Sequence, residues 1–192
     1  MNLFRYNILL FCTVLSIQPF NLRATAQQNP VINFSKKTYH AANQNWSVDA
    51  APDGYIYFAN HQGLLEFDGV SWTLHQLPNE TILRTVLVAS DSLIFTGGYR
   101  ELGYWKRGEW GKLTYFSLNK LAQKYYSNNE EFWNISMLGD TVFFHSFGTI
   151  LVYNNETIER VELPGFATTM KRYKNKILAA IRDRGIFQIE QG

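Results

Sequence analysis

From residue 45 onward, short apolar and aromatic runs alternate with turn residues. The alternation has the period of two that a sheet imposes, not the 3.6 of a helix. Residues 46–51 read as a strand, Pro52-Asp53-Gly54 as a turn and residues 55–60 as a second strand, since Asp-Gly between such runs is a hairpin signal. A third strand follows at residues 63–67, a turn at Asp68-Gly69, and a fourth strand at residues 70–74. The same reading gives strands at 83–86, 93–96, 103–105 and 113–116 around a turn at Asp91-Ser92. A further group lies at 133–136, 141–145, 148–153 and 158–163 around Gly139-Asp140. The last strands, 167–170, 176–181 and 185–189, flank a turn at Lys174-Asn175.

Third strands carry the repeat. Gly63, Gly103, Gly148 and Gly185 recur 40, 45 and 37 residues apart. Self-similarity at this period without strong helices predicts an all-β fold, a β-propeller of four-stranded antiparallel blades. About three and a half blades fit the length, an open arc where a propeller normally closes on itself. The expectation is therefore a fragment of a longer protein whose remaining blades would cover the end faces. One stretch breaks the period: residues 117–125 combine a Ser cap with helix formers, and read as a two-turn helix on a loop.

The first residues follow a different pattern. Arg5, an apolar run over residues 8–17 and the small-x-small triplet Ala24-Thr25-Ala26 read as a secretory signal peptide, residues 1–26, cut before Gln27. The run is about half of the ~20 residues a membrane helix needs. Residues 27–192 remain as one partial propeller domain, periplasmic or extracellular. The chain's single cysteine, Cys12, leaves with the signal, so neither disulfides nor cysteine metal clusters are expected in the mature part. Charge changes too. Of 18 basic side chains Arg5 and Arg23 are removed, leaving 16 against 16 acidic ones, and no basic field remains to attract nucleic acid. Aromatic residues make up 16% of the chain, which suits the faces of stacked sheets; Trp72, Trp105 and Trp110 are expected in that sheet-to-sheet core.

Several blocks point to a family. Asn43-Gln44-Asn45-Trp46-Ser47-Val48, then Asp53-Gly54-Tyr55-Ile56-Tyr57-Phe58-Ala59-Asn60, and then Gly63-Leu64-Leu65-Glu66-Phe67-Asp68-Gly69-Val70-Ser71-Trp72 resemble the opening of a bacterial two-component regulator propeller. Ile82-Leu83-Arg84-Thr85-Val86 and Gly97-Gly98-Tyr99-Arg100-Glu101-Leu102-Gly103-Tyr104 are similar to further blocks of such sensors. The resemblance covers nearly the whole mature chain. It implies an extracytoplasmic sensor of propeller repeats followed by a triple-tyrosine domain, a helix anchoring the parent protein in the inner membrane, and a cytoplasmic output, either a histidine kinase or a LuxR-type DNA-binding domain. The sequence ends before those later parts, and dimerisation of the full-length receptor is left open.

No nucleophile elbow, zinc-binding helix motif or phosphate-cradling glycine loop occurs, so no catalytic residue, metal ligand or cofactor is expected. Glu130-Glu131 reads as a solvated turn. Binding has more positional content. Because antiparallel strands alternate direction, the loops between second and third strands share one face with the connections between blades. That face would carry Asn60, His61 and Gln62, then Tyr99, Arg100 and Glu101, then His145, Ser146 and Phe147, and finally Arg182, Asp183 and Arg184, with Arg84 and Trp133 at the channel mouth. Aromatic rings beside guanidinium groups suit an oligosaccharide or another small organic ligand. The function expected is an extracytoplasmic ligand-sensing region of a signal-transduction protein; a secreted lyase-like propeller enzyme and a protein-binding scaffold are the alternatives.

Overall fold

A computed structural model describes residues 31–127 and 129–189. The signal segment and its cleavage position lie outside these residues. Over the described residues the protein is all-β, with four antiparallel sheets in chain order. The first sheet holds β1 (Asn45–Ala50), β2 (Ile56–Asn60), β3 (Gly63–Phe67) and β4 (Trp72–His75). The second holds β5 (Leu83–Ser90), β6 (Leu93–Gly98), β7 (Glu101–Arg107) and β8 (Leu113–Ser117). In the third are β9 (Asn134–Leu138), β10 (Thr141–His145), β11 (Ile150–Asn154) and β12 (Thr157–Val161), and in the fourth β13 (Ala167–Tyr173), β14 (Lys176–Ile181) and β15 (Gly185–Ile189). Strands pair with their neighbours in sequence, giving four blade-like sheets.

Turn chemistry sets the hairpins. Gly54 adopts φ 94° after Asp53, whose Oδ1 accepts the Tyr55 N–H. Asp68 Oδ1 accepts the N–H groups of Val70 and Ser71 at 2.8 and 2.6 Å, and the bond from Ser71, then that from Val70, hold its pKa below the ordinary carboxylate value. Gly63 sits at φ 137°, and a Cβ there would run into the His75 carbonyl of the neighbouring strand.

Burial follows the period of two. On β10, Phe143 packs toward the fourth sheet with Met170, Ile177 and Ala179, whereas its neighbour Phe144 packs toward the second with Phe95 and Leu102. Each fully buried Phe contributes about 1.5–3 kcal/mol. Between the first two sheets, Tyr57, Ala59 and Leu64 meet Leu83, Ile94 and Trp105. Trp105 is thus core, its Nε1–H donating to Thr96 Oγ1 at 3.0 Å.

The other two tryptophans differ from that expectation. Trp72 lies on the far face of the first sheet, where Phe34, Phe58, Phe67 and Tyr39 surround it at centroid distances of 4.4–5.7 Å. A four-residue helix, α1 (Lys36–Tyr39), brings Tyr39 to it. Trp110 is 99% exposed on the β7–β8 hairpin, because its positive φ of 68° in the turn directs the indole away from the sheets. The predicted helix is also shorter. Its α-helical part, α2, covers Asn119–Ala122 and passes into a 3-10 turn over Gln123–Tyr125. Leu118, not Ser117, takes the N-cap position; the Ser117 hydroxyl instead closes β8 by donating to Glu101 while accepting the Asn119 N–H.

First strands of consecutive sheets lie side by side. Side chains tie them together. Ser47 Oγ and Asp49 Oδ2 on β1 accept the backbone N–H groups of Val86 and Val88 on β5 at 2.8 and 2.7 Å. Arg172 on β13 reaches the Met137 carbonyl of β9 at 3.2 Å.

Candidate functional site

The starts of the first strands converge on one cluster. Trp46 is the second residue of β1 and Arg84 the second of β5, while Trp133 directly precedes β9. Trp46 and Trp133 meet edge to face at 5.9 Å, with the Arg84 guanidinium beside both rings, 4.1 Å from the Trp46 centroid and 4.8 Å from that of Trp133. Phe147 extends the row at 6.0 Å from Trp133. The Trp133 N–H donates to the His145 carbonyl, and the Ala167 N–H to that of Phe147, so backbone bonds fix each ring's position.

Glu131 Oε1 accepts from Arg84 Nη2 at 3.3 Å, a long contact for an ion pair. A bridge between the backbones of Tyr99 and Glu131 and a bond from Phe132 N–H to the Gly98 carbonyl hold that carboxylate in place. Glu131 is thus a partner of Arg84, not part of a solvated turn. Arg84 Nε and Nη1 make no hydrogen bond, and the side chain is 11% exposed. Trp46 and Phe147 stay open, 42% and 49% exposed. Phe166, also exposed, lies 5.8 Å from the Arg182 guanidinium on the fourth sheet.

Other candidate residues go elsewhere. Asn60 is fully buried: its amide donates to the Ala42 carbonyl and Asn45 Oδ1, each at 2.7 Å, and its oxygen accepts the N–H groups of Ala42 and Gln62. Glu101 is buried under four neutral donors, Asn79, Tyr115, Ser117 and Asn119, at 2.6–2.9 Å. Burial, then the Glu101 charge and hydrogen bond, push the Tyr115 hydroxyl well above its ordinary pKa. His145 is 1% exposed with Nε2 3.0 Å from the Ala167 carbonyl, and burial lowers its pKa against the opposing effects of that bond and of Glu130. Ser146 exchanges hydrogen bonds with Thr149.

His61 is half-buried, its N–H on the Gln44 carbonyl. Tyr99 is half-buried and donates its N–H to the Ile82 carbonyl. Arg100, at φ 56°, Gln62, Arg182, Asp183 and Arg184 are all solvent-facing or loop-borne, with only Arg182 beside an aromatic ring. The cluster therefore unites Arg84, Trp133 and Phe147 with two residues that sequence reasoning missed, Trp46 and Glu131. A signal existed for the first: Trp46, Trp133 and Phe166 are aromatic at or just before a first strand.

A separate groove of about 580 Å³ runs along the middle of the first strands, between Asp49, Leu87, Ala89, Ile135, Met137 and Arg172. It is chemically poorer than the aromatic cluster. Asp49 already accepts the N–H groups of Ala50 and Val88, and Arg172 donates to two carbonyls. Among the described residues, no three His, Cys, Asp or Glu side chains converge as metal ligands would, and no helix is long and apolar enough to cross a membrane.

No protein family and no curated protein matches the sequence. Solved structures match the fold. The extracellular domain of a hybrid two-component system from B. thetaiotaomicron aligns with 75% of this chain and 20% of its own length, at TM-score 0.58 and 14% identity. A second such extracellular domain from the same organism aligns over 85% of this chain and 28% of its own, at TM-score 0.52 and 14% identity. A computationally designed protein matches over 79% of this chain and 96% of its own, at TM-score 0.55 and 13% identity. The chain thus spans between a fifth and a third of the two bacterial domains, and at these identities the likeness is one of fold.

Proposed function

We propose that the four sheets are blades of a propeller and that they form part of the extracytoplasmic ligand-sensing region of a bacterial signal-transduction protein. The observation that carries this is the aromatic row Trp46, Trp133 and Phe147 gathered around Arg84 where three first strands begin. Exposed rings offer flat apolar faces, and a guanidinium offers donors; together they suit a sugar ring or another flat, hydroxylated ligand. The likeness to extracellular domains of two-component systems supports the sensing role. On this reading the region binds without turnover, and signalling belongs to the parent protein's membrane anchor and output domain.

The test is intrinsic tryptophan fluorescence of the full chain titrated with a panel of plant and host-type oligosaccharides. Two of the chain's five tryptophans line the cluster, so an occupied site should change emission in a saturable way. Phe147→Ala should weaken that response, by about 1–3 kcal/mol per lost stacking contact if it resembles other ring-on-ring platforms. A panel without any saturable response, or a response untouched by Phe147→Ala, would count against the site.

A further inference from the structure

Arg84 lies in the corner of two perpendicular indoles with most of its hydrogen-bonding capacity unused. Three surrounding features make this unusual. Its charge is almost out of water, at 11% side-chain exposure; its Glu131 contact is single and long, at 3.3 Å; and Nε and Nη1 have no acceptor. Buried donors are ordinarily matched, because leaving one unmatched costs the desolvation it has already undergone. Arg107, on β7 of the same sheet, comes closer to that rule, with Nε alone lacking an acceptor. It donates to Glu66 Oε2 at 2.7 Å, to the Gly111 carbonyl at 2.7 Å and to the Tyr57 hydroxyl. The two sites share their ingredients, an arginine, a glutamate and two aromatic rings, and differ in how many acceptors are supplied.

From this deficit we infer that the ligand itself carries an anionic group, and that Arg84 reads it. The inference rests on the proposed function, and it narrows the ligand class to acidic sugars, whose ring stacks on the exposed indole and phenyl faces while the carboxylate takes the unused donors. Geometry also says how the group arrives. Nε and Nη1 are shielded from solvent, and Trp46, at 42% exposure, is the more open wall of the corner. The Trp46 indole must tilt for a carboxylate to reach the guanidinium. Binding of an acidic sugar therefore changes the environment of Trp46 directly, whereas a neutral sugar stacks on the outside and leaves the corner around Arg84 closed. Glu131 remains on Nη2, which keeps the arginine oriented when Trp46 moves.

The experiment compares digalacturonate with its dimethyl ester, a pair of equal ring shape and different charge, on the full chain by tryptophan fluorescence and calorimetry. Digalacturonate is expected to bind at least about tenfold more tightly than the ester, in line with a charge-assisted hydrogen bond replacing a neutral one. Arg84→Gln should erase the difference, and Arg84→Lys, which keeps the charge if the glutamine variant does not fold, should retain part of it. The wild-type comparison stands without any variant. Equal affinity for acid and ester would overturn the inference and leave the stacking platform intact; failure of both to bind would overturn this ligand class, and binding of neutral oligosaccharides in the wider panel would then still support the platform. Tighter binding of the acid that persists in Arg84→Gln would also overturn it, because the anion would be read elsewhere.

Discussion

Two arginines on the second sheet show how the same side chain serves the fold in one place and is held in reserve in another. Arg107 lies between the first two sheets, where Tyr55 covers its guanidinium at 4.5 Å and Glu66, Tyr57 and the Gly111 carbonyl take its protons. Glu66 is 8% exposed and also lies 3.4 Å from His75 Nε2. Arg84 has two indoles, one long ion pair and little else. Buried ion pairs stabilise only when geometry and extra hydrogen bonds repay desolvation, so the first arrangement is a structural joint. The second leaves a debt that an incoming anion can settle.

The contrast breaks most easily at Arg107. Arg107→Met should strand Glu66 in the interface and lower stability by about 3–5 kcal/mol in urea unfolding. A near-neutral result would place Arg107 in the same class as Arg84. Replacing both partners, Glu66→Leu with Arg107→Met, should cost clearly less than Arg107→Met alone, because no unpaired charge is left; a double-mutant cycle measures the difference. Arg84→Met is expected to cost only about 1 kcal/mol, the worth of a partly shielded cation over aromatic rings, and to remove the preference for acidic ligands.

Acid sharpens the comparison by the smallest amount. Burial raises the Glu66 pKa, but the close His75 ring, the bond from Arg107 and the Arg107 charge outweigh it, so the folded value lies below the ordinary 4.5. Stability from Glu66 is therefore complete above pH 4.5 and is lost as pH falls through the folded value. The gap between wild type and Arg107→Met should narrow in that window. His145, whose folded pKa is lowered from 6.5, destabilises both proteins alike as pH falls below 6.5, and so cancels from the difference. Thermal unfolding of both proteins from pH 7 to pH 3 checks this.

Much of the fold was legible because sheets write their pattern locally. Strands at residues 141–145, 176–181 and 185–189 fall where alternation and turn residues place them, and Asp53 and Asp68 brace their turns as short acceptors do. Side-chain direction at the loop ends was not legible. Asn60, Glu101 and His145 share the predicted face by position, yet each turns inward: Asn60 to the Ala42 carbonyl ahead of β1, Glu101 to Ser117 of its own sheet, and His145 to the Ala167 carbonyl of the fourth sheet. Trp46 and Glu131 escaped notice because the group that joins them, Arg84, is distant from both in sequence; the aromatic shared by the starts of three first strands was the one signal, and it pointed to Trp46 alone. Trp110 misled for a local reason: an aromatic on a short hairpin looks like core until the positive φ of the turn aims it outward.

Ser47 and Asp49 have a mechanical meaning beyond their hydrogen bonds. Between β1 and β5 the separation of neighbouring sheets is gauged by two of the shortest polar side chains available, whereas β9 and β13 are spanned by the long arm of Arg172. A short tether admits little travel; a long one admits sliding. On that difference alone, a pull on the first pair of sheets meets a stiffer cross-link than a pull on the last.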